Sequence, residues 1–321
     1  MSHDRTAAAR DLPANALVHK VNTIIAQANA IILGKEPQIR LGLVCLITGG
    51  HLLIEDIPGV GKTTLAQTLA RLLGLSYQRI QFTSDLLPAD IIGASIYEQQ
   101  NSGFRFHPGP IFAQLILADE VNRATPKAQS ALLEAMEERQ VTVDGVTRPL
   151  PQPFFVIATQ NPLHQVGTFP LPESQLDRFL MRLELGYPDE RAEHDLLQGR
   201  DRRELLRDLQ PVLSAHELLA LRETALQVHV SEALLQYLQA LVRHTRESPR
   251  YETGLSPRAA IALKHAAQAQ ALLMGHAGVV PEDLQTVLPG VVGHRLRTRS
   301  GRESAAPAAV AQQLLEAVPI P

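Results

Sequence analysis

Lys62 and Thr63 sit in the stretch LLIEDIPGVGKTTLAQTLA (52–70), and two adjacent acids, Asp119 and Glu120, end the apolar run AQLILADE (113–120). The separation is 57 positions (119 minus 62). An ammonium, a hydroxyl and two carboxylates are the groups that phosphoryl transfer from a magnesium-bound nucleotide requires. Lys62 suits the β- and γ-phosphates, Thr63 and Asp119 suit Mg²⁺, and Glu120 suits activation of the attacking water. Gly59 and Gly61 let the backbone approach phosphate oxygens, with Pro58, Val60 and Thr64 completing the loop. The phosphate-loop pattern G-x-x-x-x-G-K-[ST] asks for glycine five positions before Gly61, where this chain has Asp56. Aspartate tolerates the left-handed backbone region, so Asp56 is expected to replace the glycine there with its charge turned from the phosphates. Asn161, at the end of VIATQN (156–161), offers an amide that could orient the water or sense the γ-phosphate. The plainer readings are a glycine-rich turn with no ligand, two acids that merely end a strand, and a turn residue before Pro162.

These residues need a scaffold that gathers strand ends and a helix start. HLLIED (51–56) is a short apolar run stopping at a Pro-Gly turn. TTLAQTLARLLG (63–74) has helical spacing, and TPKAQSALLEAMEERQ (125–140) is helical with Pro126 in its first turn. YQRIQF (77–82), AQLILADE, FFVIATQN (154–161) and FLMRLEL (179–185) complete five predicted strands. Continuous apolar strands alternating with helices predict an α/β domain with a five-stranded parallel sheet covered on both faces. Ligands of such sheets bind at the carboxyl ends of the strands. Two stretches interrupt the rhythm. Residues 93–109 are a candidate hairpin with Asn101-Ser102-Gly103 at its tip, and 141–150 a hairpin around Asp144-Gly145. After the linker Gly186-Tyr187-Pro188 the pattern is helical throughout. The expected division is an α/β nucleotide-binding domain over 1–186 and a separate all-helical lid domain over 187–321.

Composition narrows the class. The 321 residues are 45% hydrophobic and 20% charged with a net charge of −3, ordinary for a globular protein and without a global basic field for nucleic acid. Cys45 is the single cysteine, so no intrachain disulfide forms, and a cytoplasmic setting is expected. No two of the twelve histidines stand three or four apart. The polar start MSHDRTAAARDL does not read as a signal peptide, and no apolar run approaches the roughly 20 residues of a membrane span.

The stretches GHLLIEDIPGVGKTTLAQTLA, ILADEVNRATPKAQSALLEAMEERQVTVDG, ATQNP, LPESQLDRF and GLSPRAAIAL resemble, in order, the AAA+ ATPases of the MoxR family. The resemblance spans about residues 31–262. It implies ATP hydrolysis with Mg²⁺, Walker A at Lys62 and Thr63, and Walker B at Asp119 and Glu120. It further implies sensor 1 at Asn161, an arginine finger at Arg178 reaching a neighbour's ATP, and sensor 2 at Arg258 on the lid. Gly34, in IILGKE, falls where the adenine-binding loop is expected. Residues 93–109 fall on the helix-2 insert and 141–150 on the hairpin before sensor 1. A homo-oligomeric, hexameric ring is implied, acting as a chaperone-like machine on a protein client, with a partner carrying a von Willebrand factor A domain. Arg258 is expected over the γ-phosphate, with Tyr187-Pro188 as hinge. Tyr97, Phe104 and Phe106 are candidate docking aromatics, against the alternative that the two phenylalanines pack on their own domain. Arg123 could touch nucleotide, neighbour or its own loop. A DNA-remodelling motor and a small-molecule phosphotransferase are the competing readings. The first is weakened by the few basic hairpin residues (Arg105, His107, Arg148), the second by the helical C-terminal part.

Overall fold

The computed structural model describes residues 14–99, 102–161, 167–199, 201–299 and 307–320. The polar start, Asn101 at the hairpin tip, Pro162 and residues 304–306 of the tail stretch lie outside them.

The five expected strands form. They are β1 (His51–Glu55), β2 (Tyr77–Gln81), β5 (Leu115–Asp119), β8 (Phe155–Gln160) and β9 (Phe179–Leu183). All neighbours pair in parallel, in the order β2-β5-β8-β1-β9. Of the three interior strands, β5 and β8 are buried along their whole length, which is why they read as apolar runs. In β1, Leu52 and Ile54 face one core cluster while Leu53 faces the other, as strand alternation requires.

Register then places the chemistry. Glu55 pairs with Gln160, and Ala118 with Ala158. The residues just beyond these pairs, Asp56, Asp119, Glu120 and Asn161, therefore arrive together at the carboxyl edge of the sheet.

Helices cover both faces. On one lie α1 (Ala14–Ile31), α2 (Glu36–Ile47) and α3 (Lys62–Leu72); on the other lie α4 (Pro88–Ile92) and α5 (Pro126–Glu138). The hairpin β3 (Gly93–Glu98) with β4 (Gly103–Pro108) follows α4, and β6 (Gln140–Val143) with β7 (Val146–Pro149) follows α5. Asp144 and Gly145 both have positive φ, 53° and 75°, the two-residue turn that the Asp-Gly pair predicts.

After a short α6 (Glu173–Leu176) and β9, the chain is helical: α7 (Glu190–Gln198), α8 (Arg202–Asp208), α9 (Ala215–Leu226), α10 (Glu232–Glu247), α11 (Pro257–Met274), α12 (Pro281–Val292) and α13 (Pro307–Ala317). This lid is less separate than its sequence suggests. One apolar cluster runs from the sheet face through α1 and α2 into α9–α13 without a break. The edge strand β9 is the reason, because α12 packs over it. The buried His294, just past α12, bonds the Phe179 carbonyl, and Arg295 donates to Asp177, Phe179 and Leu180. Covering an edge strand removes its open backbone groups from solvent. Among the described residues no helix is long and apolar enough to cross a membrane.

Candidate functional site

The turn from β1 into α3 opens on a cleft of about 300 Å³, lined by Pro58, Gly59, Gly61, Lys62, Thr63, Thr64, Asp119, Glu120 and Asn161. These nine residues come from three strand ends and one helix start. Gly59 and Gly61 have φ of 88° and 94°, and at neither would a Cβ meet any atom within 4 Å. The glycines are thus needed for backbone conformation, and the space beside them is open. Gly61 caps α3 without a side-chain bond, which leaves the first N–H groups of the helix available to an anion. Val60 packs instead against the core beneath the loop.

Asn161 stands between a cation and an anion. Its Oδ1 accepts from Lys62 Nζ at 3.2 Å, and its Nδ2 donates to Glu120 Oε1 at 3.2 Å. That order fixes which way the amide points, since only its oxygen can face an ammonium and only its nitrogen a carboxylate. Asn122 holds the Asn161 carbonyl from behind at 3.2 Å. Lys62 also donates to the Asp56 carbonyl at 2.5 Å. Burial pushes the Lys62 ammonium pKa down, and the carboxylates of Asp56, Asp119, Glu120 and Glu55 pull it back up.

Both acids are engaged. Asp119 accepts from Thr159 Oγ1 at 2.6 Å on one oxygen and from Arg79 on the other, at 3.0 Å and 2.5 Å. Glu120 accepts from Gln81 at 3.1 Å and from Arg123 at 2.9 Å, while its own N–H donates to Thr159. Arg123 therefore pairs within its own loop. Glu120 has φ of 56°, a left-handed conformation that is costly for a glutamate and turns its side chain across the strand end toward Asn161. Arg79, Gln81 and Thr159 do not stand out in the sequence. Their one signal is spacing: Arg79 and Gln81 share a strand face, as do Thr159 and Asn161.

Asp56 departs from expectation. It is not among the residues with positive φ, so it does not imitate the glycine of the usual loop. Its carboxylate does turn from the cleft, and accepts from the N–H groups of Ile57, Leu185 and Gly186. Gly34 lies outside the cleft, where its Cα faces Ala192 and Asp189.

Arg178 and Arg258 also lie elsewhere. Both reach Glu137, Arg178 at 2.9 Å and Arg258 at 2.5 Å, in a second cleft of about 300 Å³. The Arg258 hydrogen bond holds the Glu137 carboxyl below its ordinary pKa. That cleft is also lined by Arg139, Arg295 and Asp177, so four guanidiniums face two carboxylates, and it shares no residue with the Lys62 cleft. Arg258 is thus found beside Arg178 rather than over the chain's own phosphate loop.

At the first hairpin Phe104 is 77% exposed, edge-on to Tyr97 with ring centres 5.4 Å apart. Phe106 is half-buried between the Phe112 ring and the Arg148 guanidinium of the second hairpin. The two phenylalanines thus divide between the alternatives.

The chain is similar to known proteins along most of its length. Residues 51–181 match the ATPase family associated with various cellular activities (AAA), and residues 243–317 match the AAA lid domain. The chain is 43% identical to YeaC of Bacillus subtilis, covering 92% of this chain and 93% of that protein. It is 41% identical to Chaperone MoxR1 of Mycobacterium tuberculosis, covering 87% and 76%. Identity to Protein MoxR of Methylorubrum extorquens is 32%, covering 83% and 84%. The crystal structure of a candidate ATPase from Cytophaga hutchinsonii superposes with a TM-score of 0.88 at 38% identity, covering 96% of this chain and 97% of that one.

Proposed function

Because the chain belongs to the MoxR family of AAA+ ATPases, we propose that it binds ATP with Mg²⁺ in the Lys62 cleft and hydrolyses it to drive a chaperone-like action on a protein partner. The observation that carries this reading is Asn161 set between Lys62 and Glu120 at the mouth of an open glycine loop.

The residues fit the group they would receive. Gly59, Gly61 and the first turn of α3 present backbone N–H groups to phosphate oxygens. Thr63 and Asp119 offer an all-oxygen donor set of the kind Mg²⁺ takes, with further positions left for phosphate and water. The metal, when bound, supplies charge neutralisation at the β- and γ-phosphates. Lys62 adds a fixed positive charge as it moves from Asn161 and the Asp56 carbonyl toward phosphate. Glu120 accepts a proton from the attacking water. Asn161, freed from Lys62, keeps its N–H on Glu120 and so holds the carboxylate in place.

Among the described residues that line the cleft none offers a guanidinium for the leaving charge, and Arg123 and Arg79 pair with the acids themselves. Arg178 and Arg258 stand together on another face and share one carboxylate. We read them as a pair offered to the cleft of a neighbouring subunit in a homo-oligomeric ring. Activity then requires assembly, and the ring is taken as hexameric. The exposed Tyr97–Phe104 pair is assigned to docking a partner of von Willebrand factor A type or its client, since large aromatics left in water favour covering. The first hairpin argues against a nucleic-acid track, because Arg105 pairs with Glu98 of its own hairpin.

The test is Glu120→Gln. It should keep Mg·ATP binding and lose turnover by ~100-fold or more, the scale of a removed general base. Near-normal turnover would reject the cleft as the hydrolytic site.

A further inference from the structure

Asp56 has a conformation any residue could adopt, yet its side chain is the most heavily bonded at the loop. One carboxylate oxygen accepts from the Leu185 and Gly186 N–H groups, both at 2.6 Å. The other accepts from the Ile57 N–H at 2.8 Å, which orients the group. Its main-chain N–H continues the sheet ladder to Gln160 at 3.2 Å, and its carbonyl takes the Lys62 ammonium. Three N–H donors converge on one side chain. Only a carboxylate, an acceptor at both oxygens, meets them all, because asparagine would oppose an NH₂ to one set. Gly186, at φ 64°, turns the chain here. Leu185 is 2% exposed, so a glycine at position 56 would strand a buried backbone donor.

The strap that follows, residues 185–189, is gripped a second time. Lys35 Nζ donates to the Tyr187 carbonyl at 2.7 Å. A Cβ on Gly34 would lie 3.2 Å from Ala192 Cβ and 3.5 Å from the Asp189 carboxylate. This strap is the sole covalent path from β9 into the helices of the lid.

We propose that Asp56 is a positioning residue that latches the phosphate loop to the 185–189 strap, so that movement of Lys62 at the loop is passed to the chain leading into the lid. Asp56 touches the lysine through its carbonyl and the strap through its carboxylate. When Lys62 leaves that carbonyl, the same residue changes its hold on both sides. The inference rests on the Lys62 cleft being a nucleotide site.

Amide hydrogen exchange tests it in the full chain, with Asp56→Gly and Asp56→Asn beside wild type. The first variant keeps the main-chain carbonyl that takes Lys62 and removes every side-chain acceptor; the second retains shape while removing one acceptor. Without nucleotide, the Leu185 and Gly186 amides should exchange at least ~10-fold faster in Asp56→Gly, with Leu117 and Val156 unchanged, and by less in Asp56→Asn, whose one remaining oxygen still serves them. With a slowly hydrolysed ATP analogue, wild type should change its protection over 185–189. The variants should still bind the analogue while the strap no longer responds. Unaltered protection at 185–186 in Asp56→Gly overturns the latch. A strap that responds in the variants as in wild type overturns the coupling. Failure of wild type to bind the analogue would instead reject the nucleotide reading, and the nucleotide-free comparison would still judge the latch.

Discussion

If Arg178 and Arg258 serve a neighbour's cleft together, mixing experiments have a numerical answer. Take three variants, Lys62→Ala, Arg178→Ala and Arg258→Ala. Each alone should fall by ~10³-fold in turnover, the scale of a lost arginine finger or phosphate-cradling lysine. Now mix two variants in equal parts after dissociation and let rings form. At each interface one subunit supplies the Lys62 cleft and the next supplies the arginines. With random assembly in a closed head-to-tail ring, about one quarter of interfaces join the intact cleft of one variant to the intact arginines of the other. Lys62→Ala mixed with Arg178→Ala should therefore recover about a quarter of wild-type turnover per site, and so should Lys62→Ala mixed with Arg258→Ala.

The third mixture discriminates. Both guanidiniums sit on the one Glu137 carboxylate, so a donor surface lacking either is incomplete. Arg178→Ala mixed with Arg258→Ala should stay near the ~10³-fold deficit of the singles, because no subunit carries both. Were Arg258 to act on its own chain's nucleotide, this mixture would recover about a quarter as well, since an Arg178→Ala cleft would meet an intact Arg178 next door. The assay is phosphate release at saturating Mg·ATP, with sedimentation confirming that each mixture forms rings of wild-type size. Recovery in the third mixture would refute the paired reading, and no recovery in the first would refute the shared site altogether.

Two further outcomes follow from other parts of the molecule. Tyr97→Ser with Phe104→Ser should leave basal ATP turnover within about twofold, because both rings stand in solvent, and should weaken partner-stimulated turnover by ~10-fold or more; loss of basal turnover would assign the hairpin to the ring contact instead. The second concerns acid stability. His51 is buried and neutral: Nδ1 accepts from Val156 N–H at 3.0 Å, Nε2 faces the Met136 carbonyl at 3.2 Å, and burial lowers its pKa from 6.5 to about 4. The unfolded chain takes up a proton near 6.5 and the folded chain resists it, so this contribution is complete above pH 6.5 and is lost as pH falls toward 4. It amounts to about 3 kcal/mol. Replacing His51 with Gln should flatten the stability curve between those pH values relative to wild type in chemical denaturation, and equal slopes would show that His51 does not titrate as described.

What the sequence makes legible here is what repeats locally or ends a run. Lys62, Asp119 and Asn161 are found because each closes an apolar strand or opens a helix, and parallel register then brings strand ends to one edge without further information. Asp144-Gly145 is found because two consecutive positive φ values have few acceptable residue pairs. Arg79 escapes because its meaning depends on β2 lying beside β5, and strand order is not written in any local pattern. Phe104 and Phe106 share one strand face, so alternation cannot separate them; their distance from the hairpin base does, leaving one against Phe112 and the other in water.

Asp56 shows how a correct observation can carry the wrong cause. The missing glycine is legible, and so is a charge turned from the phosphates, but an explanation by backbone angle is local. The partners that account for the aspartate lie 129 and 130 positions onward. Arg258 repeats the lesson, since the helix that bears it is legible while its partner Glu137 lies 121 positions away. A motif constrains which groups are present; the surrounding packing determines which subunit's phosphate they can meet. For this chain that distinction separates a self-contained hydrolase from one that works only in company. The two arginines on Glu137, apart from the chain's own loop, favour the second.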